Sequence, residues 1–272
     1  MAYKRILTIQ DISCVGQCSM TVALPILSAC GHETCILPTA VLSTHTGGFG
    51  KPVVQHLQVD GIWRHWKEQD IRFDAILVGY LGSVAAIETV SQILDEMLTP
   101  GGVSIVDPAM ADHGKLYSGF DEGYAKAMQR LCEKAHIMIP NITEAAMMAG
   151  LPLREEFDEP YTRMLLGKLG GRDVVLTGVG LAPDQTGAAV RQTGEVTFVQ
   201  NLRVPRSYSG TGDMFAACFT GALLQGKSLE ESVAIASEFT LRAIQATAEA
   251  PAHWYGVKFE TVLPWLINRL FS

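Results

Sequence analysis

Residues 207–228 read SYSGTGDMFAACFTGALLQGKS and carry two phosphate-handling patterns that imply different chemistry. The first is Gly210-Thr211-Gly212-Asp213, two permissive glycines followed by a carboxylate. Ahead of a helix, such a turn brings backbone amides close to an anion, whose charge meets unpaired N–H groups and the positive end of the helix dipole. A carboxylate at that point can accept a proton from an attacking hydroxyl. The structural alternative is a tight turn in which Asp213 merely stabilises the helix N-terminus, and on these four residues alone that alternative is preferred. The second pattern is Gly221, Gly226, Lys227 and Ser228, which fit the P-loop expression G-x-x-x-x-G-K-[ST]. A P-loop needs a strand, then a flexible amide-rich loop, then a helix. Here Ala222, Leu223, Leu224 and Gln225 continue the apolar run of Phe215, Ala216, Ala217 and Phe219. Gly226 therefore reads as a helix stop, and Ser228, with Glu231 three residues on, as the next helix's capping box.

Other residues able to do chemistry recur where apolar runs end. They are Asp11, STHTGG at 43–48, GYLGS at 79–83, DPAM at 107–110, PNITE at 140–144 and TGVG at 177–180. Ligands of open α/β sheets bind outside the carboxyl ends of the strands, so these distant stretches can converge on one crevice.

The elements that must position them follow from the pattern of apolar runs. Strands are expected at 5–10, 34–41, 75–80, 103–107, 137–140 and 174–177, with Asp11 ending the first. Helices are expected at 17–30, with a kink at Pro25, and at 52–69, 84–98, 120–134, 143–149 and 160–170. Apolar strands separated by helices predict an α/β fold: a three-layer, open, mostly parallel sheet with helices on both faces. GAAVRQ and EVTFVQ around Thr193-Gly194 predict a β-hairpin on the sheet edge. A helix from Asp213 to about Gly226 and another after Ser228 complete the chain. No linker, repeat or low-complexity stretch divides it, so residues 1–272 are expected to form a single domain.

Composition narrows the function. With 48% hydrophobic and 18% charged residues the 272-residue chain is globular, not disordered. A net charge of −7 argues against a nucleic-acid partner, so an anionic ligand must be held locally. The six cysteines, at 14, 18, 30, 35, 132 and 218, lack zinc-site spacing and read as buried thiols in a reducing compartment. No apolar run is long enough to span a membrane, and MAYKRILTIQDIS reads as a strand and not a leader. A cytoplasmic protein is expected.

Gly210, Thr211, Gly212 and Asp213 match, position by position, the G-[TA]-G-D signature of the ribokinase superfamily. Within it the chain resembles the pyridoxal kinases over nearly its whole length. The resemblance is carried by Ile9-Gln10, Ser43-Thr44-His45-Thr46, Gly79-Tyr80-Leu81-Gly82-Ser83, Asp107-Pro108-Ala109-Met110 and Pro140-Asn141-Ile142-Thr143-Glu144. It departs at Asp11, where those kinases commonly have Ser. A carboxylate there can accept from a ring hydroxyl or a protonated ring nitrogen, or favour a cationic substrate such as pyridoxamine or an aminopyrimidine. Only about twenty residues separate Gln10 from the next strand, which leaves no room for the strand-built lid of many sugar kinases.

The resemblance implies ATP-dependent phosphorylation of the 5′-hydroxymethyl group of a vitamin B6 vitamer. Asp213 is then the base, and Gly210, Thr211 and Gly212 form the anion hole. Asp11, Thr44, His45, Thr46 and Tyr80 are the expected ring contacts. Asp107, Asn141, Glu144, Thr177 and Gly178 are expected on the nucleotide side, with Asp107 and Glu144 near Mg²⁺ through water. An optional monovalent cation and a homodimer complete what the resemblance implies. Structural alternatives stand beside several residues. Asn141 with Glu144 is also a helix cap, Gly178 a loop glycine, His45 a loop histidine, and Tyr80 a core residue. His113 reads as surface loop, and Trp63 and Trp66 as packing or a subunit contact. Three competing functions remain: a hydroxymethylpyrimidine kinase of the same superfamily, a P-loop NTPase and a non-catalytic B6-binding protein.

Overall fold

The computed structural model describes residues 2–154, 159–170 and 172–272. Its first half contains β1 (Arg5–Ser13), α1 (Met20–Ala29), β2 (Glu33–Leu42), β3 (Val54–His56), α2 (Asp60–Glu68), β4 (Phe73–Val78), α3 (Val84–Glu96) and β5 (Leu98–Val106). A small ladder, β6 (Ala111–Asp112) with β7 (Lys115–Leu116), precedes α4 (Glu122–Lys134), β8 (Ile137–Met138), α5 (Ile142–Ala149) and α6 (Glu159–Lys168). The chain ends with β9 (Asp173–Thr177), β10 (Gln185–Gln192), β11 (Glu195–Leu202), α7 (Thr211–Leu224), α8 (Leu229–Ala248), a 3₁₀ turn (Phe259–Val262) and α9 (Leu263–Phe271).

Among the described residues, nine strands form one sheet in the order β11-β10-β9-β8-β5-β4-β1-β2-β3. The six strands from β9 to β2 run parallel, while β10, β11 and β3 are antiparallel at the two edges. Side chains alternate across the sheet, so each strand feeds two cores. Leu7 and Ile9 of β1 enter a core completed by Ile87, Val90, Tyr124 and Leu165. Ile6 joins Val22, Ile26, Phe219, Phe239 and Leu266 on the other face. Three layers result. Only α1 separates β1 from β2, so no strand-built lid interrupts them.

Local chemistry explains the helix starts. Ser83 and Asp121 cap α3 and α4 through their side chains, and Asn141 and Ser228 form complete capping boxes with Glu144 and Glu231. Several expected boundaries move. The helix expected over 52–69 begins only at Asp60; Val54–His56 instead forms an exposed edge strand antiparallel to β2. Helix α1 starts at Met20 because Gly16 (φ 99°) and Ser19 (φ 52°) form a turn. Pro25 lies inside α1 without dividing it. Asp11 does not end β1 but sits within it, at a register irregularity between Gln10 and Ile12. Strand β5 begins at Leu98, five residues before the expected start, and passes through Gly101 and Gly102. The 111–116 ladder and the C-terminal α9 lie outside the expected elements, although α9 is amphipathic, with Leu266 and Leu270 buried one turn apart. No described helix is long and apolar enough to cross a membrane.

Candidate active site

The carboxyl ends of β1, β4 and β5 meet the start of α7. Gly210 caps that helix in the left-handed region (φ 81°, ψ 0°). A side chain there would place its Cβ 2.0 Å from the Gln17 carbonyl oxygen, so both conformation and space demand glycine. The first intrahelical bond at this end runs from Met214 N to Gly210 O at 3.0 Å. The amides of Thr211, Gly212 and Asp213 thus have no helical carbonyl to reach, and they stand at the positive end of the dipole. This is the geometry of an anion site.

Asp213 occupies the first turn. Its Oδ2 accepts from the Ser19 amide at 2.8 Å and from the Cys18 thiol at 3.2 Å. Burial pushes its carboxyl up to about 6; the bonds from Ser19 and Cys18 pull the other way, and Asp11 adds to the rise. Ser19 holds φ 52° and ψ −126° and makes no side-chain cap for α1. A non-glycine residue in such a region costs about 1–3 kcal/mol and persists only where its surroundings over-determine it. Neither Cys18 nor Ser19 was selected from the sequence. Ser19 falls inside the helix expected over 17–30 and in the structure precedes it, where its backbone N–H reaches Asp213.

Asp107, at the end of β5, lines a narrow cavity with Asp213, Gln10, Gly79 and Ala216. Its Oδ1 accepts from Ala109 N at 3.1 Å. Its Oδ2 faces the α7 turn, 3.9 Å from where a Gly212 Cβ would lie. Burial first, then Glu144 and Asp213, hold its carboxyl well above the usual range. Glu144 is 1% exposed and already committed. Its carboxylate accepts from Met110 N (2.8 Å), Ala111 N (3.3 Å) and Asn141 N (2.9 Å), while burial pushes it up to about 7. Asn141 Oδ1 in turn accepts from Glu144 N at 3.0 Å, and its Nδ2 donates to Ala111 O at 2.7 Å. Both readings of this pair therefore coexist: a capping box, and a brace that holds the 107–111 loop beside the α7 turn. Among the described residues no three His, Cys, Asp or Glu side chains are grouped to hold a metal ion by themselves.

Thr177 follows Pro140 across the sheet, its amide donating to Pro140 O at 2.9 Å, and bridges Asn141. Gly178 is exposed with φ 74° and open space beside it. Asp107, Asn141, Thr177 and Gly178 thus share one rim, at the carboxyl ends of β5, β8 and β9.

On the opposite side, Asp11 is 3% exposed. Burial raises its carboxyl, against hydrogen bonds from Ser19 and from Ser13 Oγ at 3.0 Å. Tyr80 is half-buried, stacks on Phe120 at 5.4 Å, and has its phenol raised by burial and by Asp11. His45 is fully engaged. Gly47 N donates to its Nδ1 at 3.0 Å, so Nε2 carries the proton and donates to Tyr255 O at 2.9 Å. Gly16 packs on the ring so closely that a Cβ would sit 2.1 Å from His45 Cδ2. His45 therefore ties the 43–50 loop to the 253–256 segment and to the 16–19 turn. Thr44 is half-buried and Thr46 exposed in that loop.

His113 is exposed beside Asp112. Trp63 is buried and Trp66 packs edge-on against Phe73 at 5.7 Å, so both serve packing. Helix α7 continues through Leu224, and Ser228 caps α8. Lys227 lies with His136 and Arg172 in an open cleft at the amino ends of the strands, away from Asp213. No P-loop exists there.

With this geometry in place, comparisons with known proteins are specific. Residues 27–257 match the family model described as phosphomethylpyrimidine kinase. The chain is 31% identical over 262 residues to a pyridoxine/pyridoxal/pyridoxamine kinase of Bordetella avium, covering 89% of this chain and 85% of the relative. It superposes on the crystal structure of pyridoxal kinase from Lactobacillus plantarum with a TM-score of 0.91 and 34% identity, covering 98% and 97% of the two chains. A Bacteroides thetaiotaomicron protein crystallised in a form with pyridoxal gives a TM-score of 0.88 at 34% identity, covering 97% and 96%.

Proposed function

The chain belongs to the phosphomethylpyrimidine kinase family, and we propose that it transfers the γ-phosphoryl group of ATP to the 5′-hydroxymethyl group of a vitamin B6 vitamer. One observation carries the reading. A held carboxylate, Asp213, stands beside Asp107 at the first turn of a helix whose opening amides have no hydrogen-bond partner among the described residues. Phosphoryl transfer asks for this combination of positioning and charge stabilisation, and little covalent chemistry.

In this mechanism the amides of Thr211, Gly212 and Asp213 bind the transferring phosphoryl oxygens. Asp213 accepts the hydroxyl proton as the new P–O bond forms and the bond to ADP breaks. Asp11 and Tyr80 orient the acceptor ring. Thr177 and Gly178 meet the nucleotide, and His45 holds the loop that shapes the acceptor side. The Mg²⁺ that accompanies ATP would fit the donor set, because Asp107 Oδ2 is a hard oxygen that no cationic side chain pairs with among the described residues. Glu144 contributes through the loop it braces and through its charge. When bound, Mg²⁺ neutralises phosphate charge. A cytoplasmic homodimer belongs to the same reading.

A second reading is favoured by the family description and by Asp11: phosphorylation of a hydroxymethylpyrimidine at the same site. ADP release with pyridoxal, pyridoxine, pyridoxamine and hydroxymethylpyrimidine, each with ATP and Mg²⁺, tests both. The B6 reading expects the highest kcat/KM on a vitamer. A highest value on the pyrimidine transfers the assignment, and no ADP release with any of them overturns both.

A further inference from the structure

We infer that Cys18 is a positioning residue for phosphoryl transfer, orienting the carboxylate of Asp213 so that Oδ1 is the oxygen that takes the substrate proton. The inference rests on the reading of Asp213 as the base. Both donors to that side chain converge on one oxygen: the Ser19 amide at 2.8 Å and the Cys18 thiol at 3.2 Å reach Oδ2. Among the described residues, Oδ1 accepts no hydrogen bond. A carboxylate with two donors on one oxygen is fixed in rotation, and its less engaged oxygen is the more basic one.

The turn that brings these donors is built for the purpose. Residues 16–19 are clamped from three sides by contacts that leave no room for a Cβ. Gly16 packs on His45, Gly210 packs on the Gln17 carbonyl, and Gly256 packs on the Gln17 side chain. The Ser19 backbone is held at φ 52° within this clamp. Clamping fixes the direction of the Cys18 side chain and the Ser19 N–H together. The thiol itself is unsuited to be a nucleophile, because burial and the neighbouring Asp213 and Asp11 carboxylates keep it protonated. A protonated thiol is what a donor to Asp213 requires.

The experiment compares wild type with Cys18→Ala, Cys18→Ser and Asp213→Asn in steady-state phosphorylation of pyridoxal, with Tm measured for each. Cys18→Ala is expected to lower kcat about tenfold while leaving KM for ATP and pyridoxal within about twofold. Cys18→Ser, which keeps a donor at the same position, is expected to restore kcat to within about threefold of wild type. A wild-type kcat in Cys18→Ala overturns the inference, as does a serine variant no faster than the alanine variant. Should Cys18→Ala not fold, a loss of more than about tenfold in Cys18→Ser overturns it. Asp213→Asn separates the two levels. If that variant turns over like wild type, the base assignment itself fails. If it is inactive while Cys18→Ala is unimpaired, only the positioning role of Cys18 fails.

Discussion

Gly210 and Gln17 touch backbone to backbone: any side chain at 210 would put its Cβ 2.0 Å from the Gln17 carbonyl oxygen. The contact joins the turn after β1 to the turn before α7, from opposite ends of the chain. It places the Ser19 amide on Asp213 and leaves the α7 amides facing the cleft. Gly210→Ala must therefore both adopt positive φ, at about 1–2 kcal/mol, and push the two turns apart. The expected outcome is a lowered Tm together with a kcat reduced more than about tenfold. Wild-type Tm and kcat in this variant would contradict the described contact.

Asp11 offers the vitamer-selectivity test. It is buried beside Tyr80, with Ser13 and Ser19 as its partners. A carboxylate in that place favours a cationic acceptor over a neutral one. Asp11→Asn is expected to lower kcat/KM for pyridoxamine by at least about tenfold more than for pyridoxal, an increment of roughly 1.4 kcal/mol. An equal effect on both vitamers would remove Asp11 from the recognition of charge.

Stability should record the raised carboxyl of Asp213. The Asp213 carboxyl rises from 3.8 to about 6 on folding. A raised acid holds its proton more tightly in the folded state. Its stabilising contribution is thus present below about 3.8 and is lost as pH rises through about 6. Asp213→Asn removes this loss. In nucleotide-free protein, the Tm of the variant minus that of wild type should grow between about pH 4 and pH 7 and then level off. A difference that shrinks over this range would contradict the assigned direction.

Lys227 supplies a negative control from the same sequence stretch. It sits at the amino ends of the strands with His136 and Arg172, and its neighbour Ser228 caps α8. Lys227→Ala should leave KM for ATP and kcat within about twofold of wild type. Loss of nucleotide binding would restore the P-loop interpretation.

How much of this could be read in the sequence depends on what each residue contributes. The parallel strands were legible because residues buried on both faces form unbroken apolar runs, and α7 was legible because two glycines precede a carboxylate and an apolar helix. Asp107, Asn141 and Thr177 were legible as polar residues at strand ends, and they do gather on one rim, whereas Glu144 is buried behind it, its carboxylate spent on the amides of Met110, Ala111 and Asn141. Strand β3 was not, since it is three exposed residues stabilised by pairing with β2, which no local periodicity reports. Cys18 and Ser19 were not, because one acts as a thiol donor and the other through its backbone, on a partner 194 positions or more away. His45 was selected as a ring contact, but both its nitrogens hydrogen-bond to backbone groups, which its residue type alone could not show.

The central claim is that Asp213 takes the proton from a hydroxymethyl group during transfer from ATP. The most direct measurement is single-turnover formation of phosphorylated pyridoxal by wild type and Asp213→Asn at saturating ATP and Mg²⁺, with Tm recorded for both. The account predicts product with the wild-type enzyme and a rate about 10²–10⁴ lower with a folded Asp213→Asn protein. A folded variant that forms product at the wild-type rate would contradict it.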